Sequence, residues 1–304
     1  MGNNVICIRD LRKSYKRTEV LKGVDLDIQK GSIFCLLGSN GAGKTTMVKI
    51  LSTLLKADSG EASLCGYDVR KNANKVRSVI SLTGQYAAVD GLLTGRENLR
   101  MAGRLNHMKE ASSKADVLLN QFNLVNAADR PVSTYSGGMR RRLDIAMSLI
   151  GKPKIIFLDE PTTGLDPQGR IEMWKLIREM AGTGVTVFLT TQYIEEAEQL
   201  ADHIAVLHEG TIIAQGSPQE LKSMLSGGSI LLGFADRSPY LAAQKKLGNY
   251  SYTVEDDAMS ISVTTDGSVK QLAGLLADLD GIDIALLEQK QASLEDVFLT
   301  LISK

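Results

Sequence analysis

Two short stretches of this chain carry side chains suited to acting on a phosphate. The first is Gly38-Ser39-Asn40-Gly41-Ala42-Gly43-Lys44-Thr45, followed by Thr46. Glycines allow positive φ and close backbone approach, so successive N–H groups can wrap a phosphate at the start of the following helix. Lys44 is then placed to reach the terminal phosphates of a nucleotide, and Thr45 to offer its hydroxyl to Mg2+. Every fixed position of the P-loop pattern is filled. The second stretch is Ile155-Ile156-Phe157-Leu158, which ends in Asp159-Glu160. An apolar strand of this kind delivers two carboxylates at its C-terminal edge, where open α/β sheets hold their ligands. A P-loop needs a strand-borne acid for Mg2+ and a base that orients the attacking water, and Asp159 and Glu160 supply one each. ATP and Mg2+ are the expected substrate and cofactor.

Hydrophobic periodicity gives the strands and helices that carry these groups. Residues 5–37 alternate in the manner of β-strands and end in the apolar run Ile33-Phe34-Cys35-Leu36-Leu37, and a helical pattern follows the glycine loop through Lys56. Residues 92–150 carry helical spacing (Leu99, Met101, Leu105; Val117, Leu118, Phe122; Leu143, Ile145, Met147, Leu149), which predicts a helical insert. KIIFLDEP and VTVFLTT flank a helix near Ile171 to Met180, the βαβ alternation of a parallel sheet covered on both faces. Past a helix from Gln219 to Leu225, Ser226-Gly227-Gly228-Ser229 reads as a linker. A shorter βαββαβ alternation then predicts a second domain. The expected organisation is α/β, with a mixed, largely parallel sheet, an N-terminal antiparallel part and a helical subdomain at about 86–150 within residues 1–226. A small α+β domain follows over 227–304.

Composition sets limits. The 304 residues are 43% hydrophobic and 23% charged, as in a globular protein, and 35 basic side chains balance 35 acidic ones. No global field draws the chain to nucleic acid or anionic lipid, so phosphate binding must be local and no nucleic-acid partner is expected. The opening MGNNVICIRD lacks the basic and apolar regions of a signal peptide, and the longest apolar runs fall short of a membrane span. The expectation is a cytosolic chain whose membrane partner, if it has one, is a separate protein. Cys7, Cys35 and Cys65 share no metal-binding or CxxC spacing and read as reduced structural thiols.

Between the two phosphate-related stretches lies Tyr135-Ser136-Gly137-Gly138-Met139-Arg140, directly before a strong helical run. SGGMRRRLDIAMSLI followed by IIFLDEPTTGLDP resembles the ABC ATPase family over roughly residues 4–222. The resemblance implies that Ser136, Gly137 and Gly138 cap the γ-phosphate of ATP held by the other subunit of a head-to-tail homodimer. A helix N-terminus with free amides is suited to that task. It further implies that Tyr15 stacks on adenine, that Gln85 links Mg2+ and the attacking water to the transporter contact, and that Asp166, in Gly164-Leu165-Asp166, crosses to the opposite subunit.

One position departs from the family pattern. Where most ABC ATPases carry a switch histidine after an LTT strand end, this chain reads Leu189-Thr190-Thr191-Gln192-Tyr193. Gln192 can hydrogen-bond a γ-phosphate but cannot carry a proton or positive charge, which leaves Glu160 as the base. His107, His203 and His208 sit elsewhere. The TTQY variant, the YSGGM signature and a C-terminal ASLEDVFLTL together resemble the daunorubicin-resistance branch, exporters that pair with an integral-membrane ABC-2 type permease. The resemblance implies a peripheral location on the inner face of the cell membrane and drug-like cargo. The exposed-looking loop from Tyr86 to Leu93 beside Gln85 suggests a permease contact around Gln85 to Leu99, with packing in the helical subdomain as the alternative. Lipid or polysaccharide export is the alternative within transport. A soluble ABC protein of translation or repair would bring two cassettes or a coiled coil, and a P-loop kinase would not need the Ser-Gly-Gly signature.

Overall fold

The computed structural model describes residues 4–85, 87–224, 228–266, 268–290 and 293–302. The chain divides into two compact units, Met1–Ser217 and Pro218–Lys304. The boundary expected at 226/227 falls on residues outside those described.

The first unit runs β1 (Asn4–Tyr15), β2 (Thr18–Gln29), β3 (Ile33–Leu37), α1 (Lys44–Leu51), β4 (Ser59–Leu64), β5 (Tyr67–Asp68), α2 (Ala73–Arg77), β6 (Ile80–Thr83), α3 (Gly95–Leu105), α4 (Ala111–Gln121), α5 (Gly137–Leu149), β7 (Ile155–Asp159), α6 (Pro167–Gly182), β8 (Thr186–Thr191), α7 (Ile194–Leu200), β9 (His203–His208) and β10 (Thr211–Gly216). Its main sheet has the order β10-β9-β3-β8-β7-β6, parallel from β9 to β6 with β10 antiparallel at the edge. Every residue of β3, β7 and β8 is buried, which explains their unbroken apolar runs. Phe34, Phe188 and Phe157 lie opposite one another on these three strands, with ring centroids 5.2 and 5.3 Å apart. This aromatic row ties the register of the three strands, and so brings their C-terminal ends level, with Leu37 beside Thr191 and Asp159 beside Thr190.

A second, antiparallel sheet (β2-β1-β4-β5) shares a core with α1, where Ile6, Ile8, Leu21 and Leu26 pack with Met47, Val48 and Ile50. Helix α1 stops at Leu51 rather than continuing to Lys56, because Thr53 turns to φ +65° and takes the chain out of the helix. The four-residue strand β6, too short to show a convincing alternation, was not expected from the sequence.

The insert is helical as expected, and not all of its periodic apolar positions face inward. Met101, Leu105 and Val117 are exposed, and the buried positions include Leu99, Ala102 and Gly103 on α3 with Ala111, Ala115, Leu118 and Leu119 on α4. The reason is close approach: a Cβ on Gly103 would sit 2.6 Å from that of Ala111. Small residues therefore line that close crossing, with Leu99, Leu118 and Leu119 buried beside it and Met101, Leu105 and Val117 outside. Helix α3 begins with a reciprocal Thr94–Glu97 capping box.

The second unit contains α8 (Pro218–Ser223), β11 (Ser229–Gly233), α9 (Arg237–Lys246), β12 (Tyr252–Glu255), β13 (Ser260–Thr264), α10 (Val269–Asp278), β14 (Leu286–Lys290) and α11 (Leu294–Ile302). Its antiparallel sheet has the order β12-β13-β11-β14, and Ile230, Leu232, Tyr240, Ile261, Val263 and Leu275 form a core of their own. Helix α8 packs on α11 within this unit. Among the described residues, no helix is long and apolar enough to cross a membrane.

Glu196 is among the carboxyls that the first unit buries outside the two phosphate-related stretches. Glu196 on α7 is 1% exposed and accepts a hydrogen bond from the Trp174 indole of α6 at 3.2 Å. Burial pushes its carboxyl up from the ordinary value, against the opposing pull of the Thr191 and Thr162 hydroxyls and the indole. A carboxyl raised in the folded state contributes most to stability below its unfolded pKa, and that contribution is lost as pH rises through the folded value. Glu196→Gln, which keeps an acceptor but no charge, should therefore melt progressively higher than wild type on going from about pH 5 to about pH 8. A difference in melting temperature that stays constant over this range would contradict the assignment.

Candidate active site

The glycine loop leaves the C-terminal end of β3, where the Gly38 N–H donates to the Thr191 carbonyl at 3.1 Å. Gly43 caps α1 at φ +113°, and a Cβ there would lie 2.9 Å from the Val20 carbonyl oxygen and from Leu21 Cδ2. Only glycine fits that conformation against the β2 backbone. Ser39, Asn40 and Gly41 form the exposed part of the loop, Ala42 is buried, and Thr46 lies half-buried in the first turn of α1. Lys44 is 5% exposed. Its ammonium donates to the Gly38 and Ser39 carbonyls at 2.7 and 3.1 Å and lies 3.5 Å from Glu160 Oε1. The charge is thus folded back over its own loop, against two of the loop's carbonyls.

Asp159 ends β7. Its Oδ1 accepts from the Thr190 hydroxyl at 2.6 Å and from the Thr45 hydroxyl at 3.3 Å. The next residue, Glu160, adopts φ +49°, the left-handed region that a non-glycine residue rarely occupies, at a cost of roughly 1–3 kcal/mol. Its N–H is held by the Thr190 carbonyl at 3.1 Å. Successive side chains of an extended strand point to opposite faces. The left-handed turn breaks that rule, so both carboxylates address neighbouring positions of the loop: Asp159 reaches Thr45, and Glu160 reaches Lys44. Thr163 donates its hydroxyl to the second oxygen of Glu160 at 3.2 Å. A hydroxyl and a carboxylate are hard oxygen donors, the set that suits Mg2+ on a nucleotide.

The remaining expected residues are arranged around this centre. Gln192 follows β8 directly and is half-buried, beside the Thr191 carbonyl that receives Gly38. Tyr15 ends β1 at 45% exposure, paired with Thr18 at the start of the β2 strand that packs against Gly43. Gln85 lies just past β6 and lines a cleft of about 500 Å³ with Gly137, Arg141 and Gly164. Among the described residues, no hydrogen bond joins Gln85 to Thr45 or Asp159. Ser136 caps α5, accepting the Met139 N–H at 3.3 Å, and with Gly137 it is exposed. Gly138 is half-buried, and no hydrogen bond among the described residues links these three to the glycine loop. Asp166 caps α6 through the Gly169 N–H at 3.0 Å. The structure thus unites the glycine loop, Asp159, Glu160 and Gln192, and leaves the Ser136–Gly138 turn and Asp166 facing outward.

Sequence reasoning missed Thr190, which touches both carboxylate-bearing residues, and Thr163. It also missed Arg141 and Asp144, a buried pair on α5. The Thr-Thr end of an apolar strand was the available signal for Thr190. Two opposite charges three residues apart on a helix resemble any solvated face, so the buried pair left no signal.

Comparison with known proteins supports the same assignment. The family model described as ABC transporter matches residues 21–163. The chain is 43% identical over 305 residues to the daunorubicin resistance ATP-binding protein DrrA3 of Streptomyces coeruleorubidus, covering 99% of this chain and 96% of that protein. It is 43% identical to the daunorubicin/doxorubicin resistance ATP-binding protein DrrA of Streptomyces peucetius over 96% of this chain and 90% of that protein. The linearmycin resistance ATP-binding protein LnrL of Bacillus subtilis is 33% identical, over 96% of each. Among solved structures, cbiO1 of Clostridium perfringens, part of the ABC transporter complex cbiONQ, superposes with a TM-score of 0.68 at 29% identity, over 73% of this chain and 92% of that one. The cassette MJ0796, solved as a post-hydrolysis dimer with ADP and Pi, gives 0.63 at 25% identity over 70% of this chain and 98% of that one. A glycine loop that meets a Thr-anchored Asp-Glu pair, in a chain this close to exporter ATP-binding proteins over nearly its whole length, makes this protein an ABC transporter ATPase of the daunorubicin-resistance type.

Proposed function

We propose that two copies of this chain close head to tail on two ATP molecules and that closure drives an integral-membrane permease of ABC-2 type, exporting a drug- or antibiotic-like compound. The observation that carries the reading is the split in the site. Lys44, Thr45, Asp159 and Glu160 converge at one end of the sheet, while the Ser136–Gly138 turn presents free helix amides outward. A γ-phosphate bound at the glycine loop would have anion donors on one side only, and the exposed α5 N-terminus of a second copy supplies the other. Asp166 would cross at the same interface.

In this scheme Lys44 leaves its loop carbonyls for the β- and γ-phosphate oxygens, and Tyr15 stacks on adenine. Thr45 and Asp159 would hold Mg2+, with Gln85 joining from its loop, and the ion would offset phosphate charge. Glu160 accepts a proton from, or orients, the attacking water. Gln192 donates to the γ-phosphate as a neutral sensor. The loop beyond Gln85, with Leu92 89% exposed, fits the permease contact, and Tyr86 within it lies outside the described residues. The permease places the chain at the inner face of the membrane, and the unit after Ser217 assembles or regulates the dimer. Cargo is inferred from relatives named for daunorubicin and linearmycin resistance.

Glu160→Gln preserves shape and removes the base, so it should bind ATP yet turn over about 100-fold or more slowly and accumulate as an ATP-bound dimer on size exclusion. Wild-type turnover in this variant would refute the role of Glu160. Gln192→Ala should lower turnover about 10- to 100-fold with little change in ATP affinity, while Gln192→His stays active. An alanine variant as fast as wild type would reduce Gln192 to a strand-end residue.

A further inference from the structure

Arg141 and Asp144 stand one turn apart on α5, the helix capped by Ser136, and each is 6% exposed. The pair itself is loose, with Arg141 Nη1 3.4 Å from Asp144 Oδ2. What their remaining atoms touch is more specific. Arg141 Nε donates to the Pro161 carbonyl at 3.0 Å and Nη2 to the Asp159 carbonyl at 3.2 Å, the residues on either side of Glu160. Arg141 Nη1 donates to the Gly84 carbonyl at 2.5 Å, and Asp144 Oδ1 accepts the Ala88 N–H at 3.0 Å, so the two side chains also grip the chain on both sides of Gln85.

Burial works against both charges, holding the Arg141 guanidinium below and the Asp144 carboxyl above their ordinary values. Replacing such a pair by apolar residues of similar volume is often neutral or stabilising, so stability alone gives little reason for it. The contacts give a different one. Glu160 sits in a left-handed conformation that the surroundings must enforce, and a planar guanidinium holds carbonyls from two segments in the fixed geometry of its fork, which the rotatable point charge of a lysine ammonium does not impose.

We propose that Arg141, balanced by Asp144, is a positioning residue that brackets Glu160 and Gln85 and fixes both to the helix bearing the Ser136–Gly138 turn. Engagement of that turn by a second copy's nucleotide is thereby transmitted to the base and to the permease-side loop through one side chain. The inference rests on the reading of Glu160 as the base.

The test is steady-state ATPase kinetics of Arg141→Lys and of the double variant Arg141→Met with Asp144→Leu, alongside equilibrium ATP binding and melting temperature. Arg141→Lys keeps the charge beside Asp144 but loses the fork. It should turn over about 10- to 100-fold more slowly while ATP affinity stays within about threefold. The double variant, free of buried charge, should melt at or above the wild-type temperature and remain as slow. A purely structural pair would instead regain turnover together with stability. Wild-type turnover in either folded variant overturns the proposal, as does a loss of ATP affinity in parallel with turnover. Glu160→Gln measured in the same series separates the two readings. If it is slow and the Arg141 variants are fast, only the bracket fails; if it is itself fast, the base assignment fails.

Discussion

Thr190 and Thr191, the last two residues of β8, hold the two halves of the catalytic apparatus at a fixed separation. Thr191 receives the first amide of the glycine loop from one neighbouring strand, and Thr190 meets Asp159 with its hydroxyl and Glu160 with its carbonyl on the other. Because β8 lies between β3 and β7, the spacing of phosphate loop and carboxylates is the spacing of adjacent strands, and the Phe34–Phe188–Phe157 row deep in the sheet keeps the three ends in register. A slip of one residue along β7 would turn Asp159 away from Thr45. The site is thus positioned by the most buried part of the sheet rather than by its loops.

The second constraint is local strain. A regular strand would send Asp159 and Glu160 to opposite faces, and the left-handed conformation at Glu160 sends both to the loop. Strain of this kind persists where the surroundings over-determine it. Here Thr190 holds the Glu160 amide, Thr163 its carboxylate, and Arg141 the carbonyls on either side. Chemistry at the sheet edge and packing in the helical insert meet at that one residue.

Much of this was legible in the sequence because the chemistry demands fixed residue types at short range. The glycine loop, the apolar strand ending in Asp-Glu and the Ser-Gly-Gly helix start are contiguous signals, and the βαββαβ alternation near the C-terminus needs only short periodicities. What escaped depends on tertiary contact. The inward face of α3 follows from the approach of Gly103 to Ala111, so the apolar periodicity that marked the helix did not show that Met101 and Leu105 are exposed. The end of α1 depends on Thr53 entering the left-handed region, and Arg141 acquires its meaning only when residues far apart in the chain are brought to it.

If each chain holds half of two sites, two inactive variants mixed together should complement each other. Lys44→Ala disables the phosphate loop and leaves the Ser136–Gly138 turn intact. Gly137→Asp does the reverse, and since a Cβ at Gly137 meets nothing within 4 Å, the chain can still fold around it. Each variant alone should be nearly inactive, while their mixture forms heterodimers with one complete site and hydrolyses ATP well above either alone. A mixture no faster than its components, with both variants folded, would contradict a site shared between two copies.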